Sequence, residues 1–220
     1  MKILLVFFCL ILILAQVPFG DSTREKPEEK NSPVEGWWMV TYSVVPPTQY
    51  SKDRQGTIKA ESLGSRSSLF KEVGEKEKAL PLLSWRWRIS NVVRSAIETR
   101  KDRYDTAARV MVVFGKKKSY WMVEGREPEG LKIEYIWASR LPKGHMFNHP
   151  AEKFCKVFVL ESGEGNAEQW VDEERNIHKD YKSAFGKDPT EVIALGIQTD
   201  TDHSNEMVTA YYSEPILGKK

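Results

Sequence analysis

The chain has 220 residues, with 33 Lys and Arg against 31 Asp and Glu, a formal net charge of +2 and 40% hydrophobic residues. So even a charge balance supplies no bulk attraction to nucleic acid or to an anionic membrane surface. The length suffices for one hydrophobic core, and all-β domains of this size commonly form a single unit.

Met1 and Lys2 precede an apolar run over residues 3–15, which is too short for a spanning helix and has the composition of a secretory leader. This predicts a signal peptide over residues 1–22, export to the periplasm or beyond, and no stable membrane span after cleavage; Pro18, three residues before a cut after Gly20, spoils the cleavage triplet and leaves an uncleaved anchor as the alternative. Beyond the leader Cys155 is the sole cysteine, so no intramolecular disulfide is available even in an oxidising compartment. Residues 23–35 mix Arg24, Glu25, Lys26, Glu28, Glu29 and Lys30 with prolines and read as a solvated tether. A single domain is expected over residues 36–218.

Within that domain β-rich or alternating stretches recur at residues 38–44, 57–62, 67–70, 82–90, 104–114, 131–138, 154–160, 192–199 and 207–212. Gly, Pro and Asp separate them. The pattern predicts an all-β fold, a jelly-roll-type β-sandwich with one short helix. That helix is expected after Asn176, a good N-cap, with Ile177, Tyr181, Ala184 and Phe185 at helical spacing and Gly186 as its left-handed terminator. Residues 120–123 fit a strand, a helical turn or a surface loop equally.

Successive side chains of a strand point to opposite faces. In Leu83-Ser84-Trp85-Arg86-Trp87-Arg88-Ile89 the tryptophans therefore fall on the core side and two guanidinium groups on the other. The same parity makes Arg109, Lys132, Glu134, Gln198 and Asp200 the polar positions of their strands. If these strands are neighbours, Arg86, Arg88, Arg109, Glu134, Gln198 and Asp200 form a charged stripe that can bind a ligand, the arginines holding carboxylates or hydroxyl-rich groups. The competing reading is an outward face laced with cross-strand ion pairs. Trp85, Trp87 and Trp137 are expected in the core, and Trp37 and Trp121 are the better candidates for exposure.

The run Gln198-Thr199-Asp200-Thr201-Asp202-His203-Ser204-Asn205-Glu206 is dense in oxygen donors. Asp200 and Asp202 could hold calcium there, or the segment could be a plain polar turn. His145 and His149 are four apart, but Gly144 and Pro150 argue for a loop, where that spacing makes no metal site; its functional reading is a binding loop over the sheet and its plain reading an ordinary surface loop. Cys155 lies in an apolar strand and reads as an inert buried thiol. The chain contains no Gly-x-Ser-x-Gly elbow, no His-Glu-x-x-His and no phosphate-binding glycine loop.

Leu83-Ser84-Trp85-Arg86-Trp87-Arg88, Ala107-Ala108-Arg109-Val110, Ile133-Glu134-Tyr135-Ile136-Trp137-Ala138 and Glu174-Arg175-Asn176-Ile177 together resemble a bacterial envelope family catalogued as domain of unknown function 3047. The resemblance continues through Asp180-Tyr181, Phe185-Gly186, Thr199-Asp200-Thr201-Asp202 and Ala210-Tyr211-Tyr212, and implies no established activity. A looser similarity is to galactose-binding-like jelly-roll modules, at the level of architecture. The expectation is thus an exported module that binds a glycan or another acidic envelope ligand, with no required cofactor beyond the calcium option. The alternatives are a polysaccharide hydrolase or lyase on the same face, with Glu134 and Asp200 as the imaginable carboxyl pair, and a structural protein that meets a protein partner.

Overall fold

A computed structural model describes residues 32–115 and 127–219; the leader, most of the tether and the undecided residues 120–123, with Trp121, lie outside them. The strands in chain order are β1 (Trp38–Thr41), β2 (Gln49–Lys52), β3 (Ile58–Leu63), β4 (Arg66–Glu72), β5 (Leu82–Ile89), β6 (Thr106–Phe114) and β7 (Leu131–Ala138). They continue as β8 (Met146–Asn148), β9 (Cys155–Ser162), β10 (Val171–Asn176), β11 (Val192–Asp200), β12 (Met207–Tyr212) and β13 (Ile216–Gly218), with one helix, α1 (Ile177–Phe185), between β10 and β11.

Two sheets form a jelly-roll-type β-sandwich. The larger runs β1-β4-β11-β6-β7-β9-β8, and the smaller β10-β5-β12-β3-β2 with β13 added beside β5. Described pairs are antiparallel except β7 with β9. Parallel neighbours need a longer crossover than a hairpin, and residues 139–154 supply it, carrying β8 and His149 across the end of the sheet.

Alternation decides what each sheet buries. Val110, Val112, Ile133, Tyr135, Trp137, Leu195 and Ile197 of the larger sheet meet Ile58, Ala60, Trp85, Trp87, Ile89 and Tyr212 of the smaller one in a single core. Trp87 packs on Trp137 at 5.9 Å between ring centroids, and Trp85 on Tyr135 at 5.4 Å. Trp37 also belongs to this core at 2% exposure, contrary to its sequence expectation. It immediately precedes β1, and Lys71 lies over its ring.

The helix caps one end of the sandwich. The Asn176 side chain accepts a hydrogen bond from the Lys179 amide, and Gly186 closes the helix at φ 69°, a conformation that costs glycine no Cβ clash. Tyr181 enters the core against Phe114 at 4.6 Å. No helix among the described residues is long and apolar enough to cross a membrane.

Candidate functional site

The six polar-parity residues do not share a face. Arg86 and Arg88 stand on the outer surface of the smaller sheet, because β5 pairs with β10 and β12. Arg109, Glu134, Gln198 and Asp200 lie on the outer surface of the larger sheet, where β11, β6 and β7 are neighbours. Strand parity tells a residue's side but not its sheet, so the expected stripe divides into two separate faces.

On the larger sheet the polar residues are buried rather than solvated. Arg109 and Asp200 are 1% exposed and Glu134 is 0%. Arg109 lies between the two carboxyl groups: its Nε is 3.5 Å from Glu134 Oε2 and its Nη2 3.8 Å from Asp200 Oδ2. Its terminal nitrogens donate to Gln198 Oε1 and Thr106 Oγ1, each at 3.0 Å. The Tyr104 ring covers the guanidinium at 4.6 Å while its hydroxyl donates to Glu134 at 2.7 Å.

Around this centre further charges close a network. Lys132 reaches Glu152 at 2.6 Å, Glu127 at 2.8 Å and Glu134 Oε1 at 3.5 Å. Arg66 lies 3.6 Å from Asp200 and stacks on the Tyr42 ring at 4.0 Å; the Tyr42 hydroxyl donates to Glu127. Arg66, Glu127 and Glu152 are its partly exposed members. Phe147 on β8 meets the Tyr104 ring edge-on at 6.5 Å.

Burial opposes ionisation of Glu134, but the charges of Arg109 and Lys132 outweigh it and hold the pKa at about 2. Asp200 goes the other way: burial dominates and raises it well above the usual carboxylate range despite Arg109 and Arg66. Burial, with Arg109 and Lys132 nearby, lowers His149 to about 4, so the ring is neutral at pH 7. Its Nδ1 accepts the amides of Ala151 and Glu152 at 3.1 and 2.9 Å, which places the ring proton on Nε2.

That tautomer decides one metal question. Glu134, His149 and Glu152 have ligand atoms close enough to share an ion, yet His149 Nε2 carries a proton and Lys132 already occupies the carboxylates. In the second such group, Asp105, Asp202 and His203, His203 Nδ1 lies 3.0 Å from Asp105 and 2.8 Å from Asp202 and makes its hydrogen bond to Asp105. Asp200 stands outside both groups. A calcium ion held by Asp200 and Asp202 would have to compete with two guanidinium groups.

Cys155 is 2% exposed, and burial together with Glu134 pushes its thiol well up. Tyr104, Glu127 and Glu152 joined the site without a sequence signal that singled them out, whereas His149 lies in the loop that the sequence marked as a candidate binding loop. Arg66 was legible in principle, since it continues the outward parity of Ser68 and Phe70 on β4.

Fold and network define a β-sandwich with an ionic cluster embedded in one outer sheet face and, among the described residues, no disulfide. The chain belongs to the family described as protein of unknown function DUF3047, whose model matches residues 35–216. No curated protein matches it. Among solved structures it is similar to the xyloglucanase domain of NopAA, a type three effector from Sinorhizobium fredii, in complex with cellobiose. That likeness has 10% identity, covers 82% of this chain and 91% of the other, and has a TM-score of 0.45. The family 12 xyloglucanase from Bacillus licheniformis in complex with ligand shows 8% identity, coverage of 84% and 86%, and a TM-score of 0.41. Neither likeness is close enough to transfer a residue or a reaction.

Proposed function

We propose that the chain is an exported binding module whose larger sheet recognises a hydroxyl-rich glycan through the network around Glu134. One observation carries this reading. Arg109 Nε, His149 Nε2 and Glu134 Oε1 are buried and have no hydrogen-bond partner among the described residues. Two are donors and one is an acceptor, and both donors lie within 4.0 Å of Glu134 Oε2. Leaving such groups unpaired costs about 1–3 kcal/mol each, and sugar hydroxyls can satisfy donors and acceptors together. The ligand is neutral rather than ionic on this reading, because Arg66, Arg109 and Lys132 already face four carboxyl groups.

His149→Asn tests the reading without dismantling the loop. Asn can accept the same two backbone amides, as it does at caps and Asx turns, but lacks the Nε2 proton. A glycan array of the purified chain, with calcium and with chelator, should give a neutral oligosaccharide hit that His149→Asn loses while its melting temperature stays within about 2 °C. An undiminished hit in the variant, or no hit in the parent, would overturn it.

Hydrolysis is the second reading, favoured by the opposed shifts of Glu134 and Asp200, which suit a base and an acid. Against it, the guanidinium of Arg109 fills the position between the two carboxyls where a scissile bond would lie. Neutral polysaccharide that gains no reducing ends on prolonged incubation would exclude it.

A further inference from the structure

The smaller sheet presents a second polar face, and its charges are unequally matched. Arg86 pairs with Asp172 at 2.7 Å, and Lys59 with Glu61 at 2.7 Å. Arg88, between them, has no ion pair among the described residues. Its Nε is occluded and lacks a hydrogen-bond partner, so the local structure neither neutralises nor satisfies this guanidinium.

Two aromatic rings hold it. Tyr211 is its cross-strand partner on β12, with the guanidinium carbon 4.2 Å from the ring centroid, and Trp170, just before β10, lies at 5.6 Å. Trp170 also takes Arg86 at 5.4 Å. Such contacts fix the plane of a guanidinium while leaving its charge available. Arg88, Trp170 and Tyr211 all retain partial exposure, and on the same strand Arg86, which shares the Trp170 ring, lines a hollow of about 430 Å³ with Ser84, Asp172 and Ser213.

We infer that Arg88, clamped by Trp170 and Tyr211, is a carboxylate-binding site on the smaller sheet for the uronate residues of an acidic polysaccharide. A carboxylate meets the guanidinium fork with two parallel charge-assisted hydrogen bonds. The apolar face of the sugar ring has Trp170 beside it. A neutral sugar offers nothing to the unmatched charge. A polycation is repelled by it. The inference is independent of the network on the larger sheet, which lies on the opposite side of the sandwich and whose three cations already face four carboxyl groups.

The experiment is calorimetric titration of the full chain with oligogalacturonate and with the same oligosaccharide after reduction of its carboxyl groups. The parent should bind the uronate form, with affinity falling as salt rises, and Arg88→Gln should lose roughly tenfold or more at an unchanged melting temperature. Trp170→Ala should weaken binding as well. Equal affinity of parent and Arg88→Gln, equal affinity for the reduced oligosaccharide, or no binding of uronate by the parent would each overturn the inference. Loss of neutral-glycan binding in His149→Asn is a separate readout, so either site can fail alone.

Discussion

Replacing Arg109 by Met is the sharpest test of how the larger sheet is held. Met keeps much of the aliphatic stem under Tyr104 but removes a guanidinium that donates to Gln198 and Thr106 at 3.0 Å and lies beside Glu134 and Asp200. Glu134, at 0% exposure, then remains as a buried anion with Lys132 3.5 Å away. Breaking one partner of a buried pair costs about 3–5 kcal/mol, which for a domain of this size lowers the melting temperature by roughly 6–20 °C. Glu134→Leu should be similarly costly, since Arg109 becomes the stranded ion. In the double variant neither charge is stranded, while Lys132 keeps Glu127 and Glu152, so the combined loss should fall short of the sum by about 2 kcal/mol or more. Urea unfolding of the four proteins measures this directly. A single Arg109→Met loss below about 1 kcal/mol, or strict additivity, would refute the account of a mutually dependent network. Acid titration adds a check with a definite sign. Glu134 has a folded pKa of about 2 against 4.5 for the free group, so its contribution, about 3 kcal/mol, is complete above pH 4.5 and is lost as pH falls towards 2.

Glu173 on β10 behaves in the opposite sense: burial, reinforced by Glu161, raises it to about 7. Stability associated with its protonated form is complete below pH 4.5 and disappears as pH rises through 7, so Glu173→Gln should flatten that decline, by about 1–2 kcal/mol after allowance for its partial exposure. Thermal melts of parent and variant from pH 4 to 8 that run parallel would rule this out. Gly196 faces Phe70 across β11 and β4, and a Cβ there would meet Phe70 ring carbons at 2.5 and 2.6 Å and Met111 Cε at 2.9 Å. Gly196→Ala should therefore cost about 1–3 kcal/mol through overpacking, and a neutral result in urea unfolding would mean that the outer sheet face has room to yield.

Strand parity in the sequence was enough to put Trp85, Trp87 and Trp137 in the core, and capping chemistry enough to find α1 between Asn176 and Gly186. It was not enough for β2 or β10. Gln49–Lys52 is polar, and Val171–Asn176 reads VDEERN, so neither carries the hydrophobic alternation of a half-buried strand; β10 is ordered by pairing with β5. The separation of Arg88 from Arg109 depended on which strands became neighbours, a property of long-range topology. The burial of Glu134 and Asp200 was equally hidden, because parity marks a side chain as facing away from the core without saying that Tyr104, His149 and Glu152 will cover it.

The order of strands in the larger sheet also bears on how the chain is made. β4 ends at Glu72 and takes its inner neighbour from β11, which begins at Val192, roughly 120 residues later; at about 5–20 residues per second that is about 6–24 s of synthesis. Until β11 is made Arg66 and Arg109 have no Asp200 to meet, and the strands already made can form only the β1-β4 and β6-β7-β9-β8 pieces of the sheet, each with an open edge able to pair with another chain. A nascent or newly released chain is therefore most vulnerable to mispairing just before β11 arrives, and the strand that completes the ionic network is the same one that joins the two pieces into a single sheet.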